Sequence, residues 1–393
     1  MKNFALFLII VILFSCGRNK NITSTDEIIT VDLLTEADMP LINLSDISAE
    51  IDYIPLQTVD SSLIGRIVEV IMVDDKIYLN DDDLSILCFD RKGNFIHRLS
   101  KVGRGPGEYS FISDFDVSSD GKKLIILTSG KILAYNINGN KLIFSNSIDI
   151  EGGAIKAGFI PGTDNILLSK GPWLGGDIYL SLVINLEGDT LLAKPNVYKY
   201  ENTGMGFFSA FDAMQYKLGD KVCFKEVFSD TIFYVDSKLK GFIPHLVLDS
   251  HGTIPPPRVR EDPEYRMAHA NDFSSVAVAY ELPGYLFYHY MYKGTQHKIL
   301  YDKTRNIKYE LDIENGLKDD IAGGPAINLG MQNCTGSFFY ATVDAIDFKQ
   351  YGNSGDFSTA TVISQKKKEE FGEIIDSLDE MDNPVLIIVT PKE

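Results

Sequence analysis

Positive charge is scarce in this chain: 37 Lys and Arg stand against 55 Asp and Glu, a formal net charge of −18. So acidic a surface repels phosphate backbones and anionic membranes, and no nucleic-acid partner is expected. Cysteine is sparse too. The four residues Cys16, Cys88, Cys223 and Cys334 show no CxxC spacing, which argues against a disulfide framework or a zinc site. Cys88, Cys223 and Cys334 read as buried free thiols. Catalytic signatures are missing as well: there is no HExxH, no His in metal-ligand spacing, and GNSGD at 352–356 is not a nucleophile elbow. Carboxylates occur throughout, so no acid/base pair can be singled out. The apolar run at 4–14 has 11 residues, too short to cross a bilayer as a helix.

That run follows Lys2 and suits a secretory signal over residues 1–15. It ends in Leu13-Phe14-Ser15-Cys16, which resembles a bacterial lipoprotein signal with Cys16 as the lipidated first residue of the mature protein. Acyl chains on Cys16 would hold the protein stably at a membrane surface. Loss of Lys2 with the signal leaves the mature chain at −19. Residues 16–27 are polar and read as a tether between lipid and folded body, and residues 28–393 as the folded body itself.

With hydrophobic residues at 45% and charged residues at 23%, the chain can bury a large core. Its organising stretch is 65–109. Short runs rich in Ile, Tyr and Phe, at 77–79, 84–90 and from Phe95, are separated by Asp81 to Asp83 and by Arg91-Lys92-Gly93-Asn94. They read as an antiparallel meander, because Gly and Asn tolerate the positive φ that tight turns need. The hairpin then recurs: residues 86–94 match 132–140 at Ile, Leu, Gly and Asn, and weaker copies follow at 182–189, 232–240 and 299–306. The Asp or Asn ending each strand falls at Asp90, Asn136, Asn185, Asp236 and Asp302, at spacings of 46, 49, 51 and 66. Such a period, with several strands per unit, is that of a β-propeller. The long last interval is explained by an insertion at 250–272, with Pro255 to Pro257 and a short helix expected from Pro263.

A sixth unit has strands at 338–343 and 384–389 and stops before a fourth. Two early strands are expected, at 28–33 and 51–56 with Pro40 between them, and the second is free to fill that edge, so the expected fold is an all-β six-bladed propeller closed by its N-terminal strand. Between those last strands, Phe371, Ile374, Ile375, Leu378 and Met381 recur at helical steps, predicting one helix over 366–382 docked on its own domain.

The lipoprotein signal, the hairpin running into GRGPGEY at 103–109, and NPVLIIV at 383–389 together resemble the six-bladed β-propeller lipoproteins of Bacteroidetes, related in shape to NHL-repeat propellers. The resemblance covers roughly 28–393 and implies the fold and an envelope location.

GRGPGEY is not a nucleotide loop, since Glu108 and Tyr109 follow Gly107 where Walker A needs Lys and Ser or Thr. It reads chiefly as a stiff corner between the first two blades, with Arg104, Glu108 and Tyr109 as candidate ligand contacts. Trp173, in KGPWLGG at 170–176, could stack on a sugar or peptide or pack between blades. Arg258, Arg260, Tyr265, Arg266 and His269 concentrate positive and aromatic groups in the insertion, to bind an anion or to pair with neighbouring carboxylates. The acidic run at Asp81 to Asp83 fails the EF-hand pattern at Ile86 and Lys92. No metal ligand is assigned. Calcium is the one cofactor that analogy with propeller lactonases admits, through carboxylates scattered over several blades.

The expected function is that of a membrane-anchored, non-enzymatic binding or scaffold propeller with an envelope protein, glycan or peptide as partner. The alternative is a calcium-dependent lactonase-like hydrolase or lyase. The residues after Cys16 lack an acidic cluster resembling a surface-export signal, which favours the periplasmic face of the outer membrane.

Overall fold

The computed structural model describes residues 28–173, 175–201, 209–329, 334–335 and 337–392. The expected signal, Cys16 and the expected tether lie outside them. Six sheets are arranged as blades. Blade 1 runs from an inner strand, Ile67–Val73, through Lys76–Asp81 and Ile86–Asp90 to an outer strand, Phe95–Leu99. Blades 2, 3, 4 and 5 begin at the inner strands Asp114–Val117, Lys156–Phe159, Ala213–Leu218 and Ser275–Glu281 and end at the outer strands Lys141–Asp149, Thr190–Pro195, Ile243–Asp249 and Ile307–Leu311.

The middle strands are sandwiched between neighbouring blades, which is why they read as unbroken apolar runs. Strand alternation sends successive residues to opposite interfaces. In blade 1, Ile77, Leu79, Leu87 and Phe89 pack against Tyr340, Leu386 and Ile388 of blade 6. Tyr78, Ile86 and Cys88 face Phe115, Val117, Leu124 and Ile126 of blade 2 instead. The same division repeats round the ring, so that each of the six interfaces has its own buried core.

Blade 6 consists of Cys334–Thr335, Phe338–Val343 and Val385–Pro391, with Ser48–Pro55 as its outer strand. The closing strand is antiparallel to Val385–Pro391, with Ile51 opposite Val389, as the incomplete sixth repeat implies. The segment before it was not legible as part of the ring. Ile29–Asp32 adds in parallel to the outer edge of blade 4, and Met39–Leu41 to that of blade 5, covering two edges that would otherwise face solvent.

The repeat marker has a local cause. Asp90 Oδ1 accepts from the backbone N–H groups of Lys92 and Asn94, at 2.8 and 2.9 Å. Asn185, Asp236 and Asp302 cap their hairpins in the same way. At Asn136 the strands run two residues further, to a turn at Gly139-Asn140.

The insertion contains the helices Arg258–Glu261 and Pro263–Ala268, the second capped by Asp262, which accepts from Tyr265 N–H. Near the C-terminus the expected helix is Gln365–Ser377, capped by Ser364 and ending before Leu378, whose backbone is extended. Met381 lies beyond it and is exposed. Two further helices, Ala345–Gly352 and Gly355–Thr359, precede it. Phe371, Ile375 and Leu378 pack with Phe348 and with Tyr53 of the closing strand, so this helical unit rests on the ring closure.

Candidate functional site: the axial channel

The inner strands surround a cavity of about 670 Å³. Its wall is largely apolar, and its charged groups all come from one side. Blades 1 to 4 contribute Glu69, Asp114, Asp116, Lys156, Gln215 and Lys217, whereas blade 5 contributes Ala277, Val278, Ala279 and Tyr280.

Part of the charged arc has a structural origin. An inner strand has a free edge, and its N–H groups need acceptors. Asp114 and Asp116 of blade 2 supply them: Asp114 Oδ2 accepts from Ala157 N–H at 2.8 Å and Asp116 Oδ2 from Phe159 N–H at 2.6 Å. The other oxygen of each carboxylate takes a lysine. Lys156 Nζ lies 2.6 Å from Asp114 Oδ1, and Lys217 Nζ 2.7 Å from Asp116 Oδ1. Gln215 likewise donates to Leu167 O and Ser169 Oγ across the interface of blades 3 and 4.

Glu69 is placed differently. Its Oε1 lies 3.9 Å from Lys156 Nζ, which is already engaged by Asp114. Burial pushes the Glu69 carboxyl well above the usual range; Lys156 pulls against this, while Asp114 and Asp116 add to it. Burial also raises Asp114. Burial opposes the charge on Lys156, but Asp114 and Glu69 more than offset it and hold its pKa above the ordinary lysine value. The inner strands of the arc therefore carry three carboxyl groups and two ammonium groups, with Asp74 a further carboxyl on the lining just past the inner strand of blade 1, and of the three inner-strand carboxyls Glu69 is the least compensated.

The residues singled out by motif lie elsewhere. Glu108 turns back on its own loop and accepts from Gly105 N–H at 2.8 Å. Tyr109 is buried, and its hydroxyl donates to Leu84 O and Leu99 O. Gly107, at φ +70°, has its carbonyl held by Tyr135 Oη, so the corner role of GRGPGEY has a visible basis. Arg104 is exposed on that corner. Trp173 is half-buried, its ring laid over Gly153 and Gly171 of blade 3.

In the insertion, the buried Arg260 pairs with Asp212 at 2.5 Å. Arg258 pairs with Asp262 at 3.1 Å and covers the Tyr265 ring. His269 Nδ1 lies 2.7 Å from Asp272 and its ring packs on Tyr265. None of these residues lines the channel.

Sequence reasoning missed Glu69, Lys156 and Lys217. The available signal was weak: alternating acids in Asp114-Phe115-Asp116, at the start of the strand that follows the GRGPGEY corner. As for metal-capable groups, Cys223, His245 and Glu281 are the three that converge among the described residues, and they sit between blades 4 and 5.

Fold and channel together define a six-bladed β-propeller with a charged axial cavity. The chain belongs to the family described as Domain of unknown function (DUF4934), whose model matches residues 27–390. In structure it is similar to a protein of Bacteroides fragilis provisionally described as exported, with TM-score 0.68 and 20% identity over 93% of this chain and 100% of that one. Fainter likenesses are a DUF4221-family member from Bacteroides vulgatus (TM-score 0.44, 12% identity, 67% of this chain and 86% of that one) and BamB from Moraxella catarrhalis (TM-score 0.36, 12% identity, 67% and 65%). No curated protein matches the sequence. No helix among the described residues is long and apolar enough to cross a membrane.

Proposed function

We propose that this protein is a lipid-anchored envelope propeller that binds a ligand in its axial channel without transforming it. The observation that carries this reading is the axial cavity, largely apolar with a few charged groups on one side. A pocket of about 670 Å³ with an apolar wall and a few convergent polar groups has the build of a small-molecule or peptide-end site. Asp114 and Asp116 are engaged on both oxygens, leaving Glu69 as the inner-strand carboxyl with spare capacity to bond a ligand. The lipoprotein signal at Cys16, the NHL-like character of the repeat, and the exported character ascribed to the Bacteroides fragilis protein support placement in the envelope, at the periplasmic face of the outer membrane.

Two measurements test the reading separately. Cys16→Ser should move the protein from the membrane fraction to the soluble fraction; unchanged membrane retention would refute the anchor. For the channel, native mass spectrometry of protein isolated from its own envelope should show a bound glycan or peptide mass that Ala277→Trp, which fills the cavity, removes. A mass retained by that variant would place the ligand elsewhere. The calcium-dependent alternative would require Asp114 and Asp116 to give up their lysines, and about one tightly held Ca²⁺ per chain would favour it.

A further inference from the structure

Between blades 4 and 5 a thiol, an imidazole and a carboxylate are brought together from three strands. Cys223 lies on Lys221–Glu226, His245 on Ile243–Asp249 and Glu281 on Ser275–Glu281. One ligand atom from each lies within 4.8 Å of the other two. Cys223 and Glu281 are fully buried, whereas the His245 side chain retains 13% exposure and marks a route in from solvent. We propose that these three residues form a binding site for a borderline-soft divalent metal ion, Zn²⁺ being the best match, that pins blade 4 to blade 5.

The donor set is one that Zn²⁺ takes readily. Tetrahedral coordination at the usual Zn–S, Zn–N and Zn–O lengths requires ligand atoms about 3.3–3.6 Å apart. The group now spans from 2.7 Å, between His245 Nε2 and Glu281 Oε2, to at most 4.8 Å. Loading therefore needs side-chain shifts of under about 1 Å. Loading the metal would displace two protons: the Cys223 thiol proton, which leaves to solvent, and the Nε2 proton that His245 shares with Glu281, which exchanges through solvent so that the neutral ring keeps its proton on Nδ1.

An outer layer is already in place. Tyr216 Oη donates to Glu281 Oε2 at 2.8 Å, and Lys303 Nζ to Oε1 at 3.0 Å, fixing the carboxylate as metal-ligand partners usually are. A water molecule can complete the fourth position.

Blade 1 provides an internal comparison. Tyr78, Cys88 and His97 stand side by side on its three outer strands and repeat three of the residue types. Among the described residues no carboxylate joins them, and neither His97 ring nitrogen has a hydrogen-bond partner. Glu281, contributed by the next blade, is what distinguishes the blade 4 group. This also explains why cysteine spacing argued against zinc: the ligands are 22 and 36 residues apart and share no local motif.

The test uses the full chain, stripped with a chelator and titrated with Co²⁺ as a spectroscopic stand-in for Zn²⁺. About one equivalent should bind, with tetrahedral ligand-field bands and a thiolate-to-cobalt charge-transfer band. Cys223→Ser should abolish the charge-transfer band, His245→Gln should weaken binding by about tenfold or more, and Cys88→Ser should change neither. An octahedral cobalt spectrum without charge transfer, or a charge-transfer band that survives Cys223→Ser, overturns the proposal. Should Cys223→Ser not fold, the wild-type chain still decides: Zn²⁺ must raise its unfolding midpoint, and an unchanged midpoint overturns the proposal equally.

Discussion

Lys156 is the cation on which the channel arc depends, and Lys156→Met tests that dependence while keeping much of the side-chain volume. The lysine and Asp114 side chains are 17% and 6% exposed, so their 2.6 Å pair is largely out of water. Removing one partner of a buried pair costs about 3–5 kcal/mol, because the remaining charge is left uncompensated. With an unfolding entropy of about 2.1 cal/mol/K per residue over residues 27–390, this corresponds to a fall in Tm of about 4–7 °C. Adding Asp114→Asn removes the stranded charge and should restore a substantial part of the loss. The pH dependence supplies a second check. Burial already raises Glu69 and Asp114, and loss of Lys156 raises both further. A carboxyl with its folded pKa above its unfolded value favours the fold fully below the unfolded value, about 4.3 for Glu, and loses that contribution as pH rises through the folded value. The deficit of Lys156→Met should therefore be small near about pH 4.5 and largest near about pH 8. Calorimetry or circular dichroism across that range measures it. A deficit below about 1 kcal/mol at about pH 7.5, or one that grows towards acid, would refute the reasoning.

Ile51→Ala cuts into the closing strand at a fully buried position and should cost about 2–5 kcal/mol in urea unfolding, with faster hydrogen exchange in Val385–Pro391; normal protection there would mean that the ring does not depend on this strand. Gly107→Ala should destabilise by about 2 kcal/mol or more, because a Cβ at φ +70° would lie 2.6 Å from the Phe144 ring, and a neutral result would show that the corner can readjust. Asp90→Ala removes the acceptor for two backbone N–H groups and should cost about 1 kcal/mol, whereas Asn136→Ala, which lacks that turn, should cost less.

The architecture was legible because propeller geometry writes itself locally. Most hairpins are closed by an Asx cap and each middle strand is buried on both faces, so Asp90, Asn185, Asp236 and Asp302 stand out with their apolar runs. The missing outer strand of blade 6 could be inferred from an unpaired edge. Two features were legible only in part, the first as a strand at 28–33 whose partner could not be named. Ile29–Asp32 and Met39–Leu41 join sheets more than 200 residues away in parallel, and a four- or three-residue strand carries too little pattern to name its partner. Ala345–Gly352 and Gly355–Thr359 are short, and Phe348 and Phe357 acquire their meaning only when Phe371 packs on them.

The site was illegible for a related reason. GRGPGEY draws the eye because conformational constraint concentrates Gly and Pro, yet its Glu108 and Tyr109 are consumed in holding the corner. Channel residues come one or two per blade, each in an ordinary inner strand. Even there, an acidic side chain is first an answer to the free strand edge, as the N–H contacts of Asp114 and Asp116 show. Glu69 accepts from no strand-edge N–H among the described residues, and of the three inner-strand carboxyls it alone is not held at hydrogen-bonding distance by an ammonium group. Glu69→Gln should consequently stabilise the fold at about pH 8, where the raised carboxyl would otherwise have to ionise, and at the same time weaken any ligand whose donor it accepts. A gain in stability joined to a loss of binding is the signature of a residue kept for function, and a variant that changed stability alone would remove Glu69 from the site.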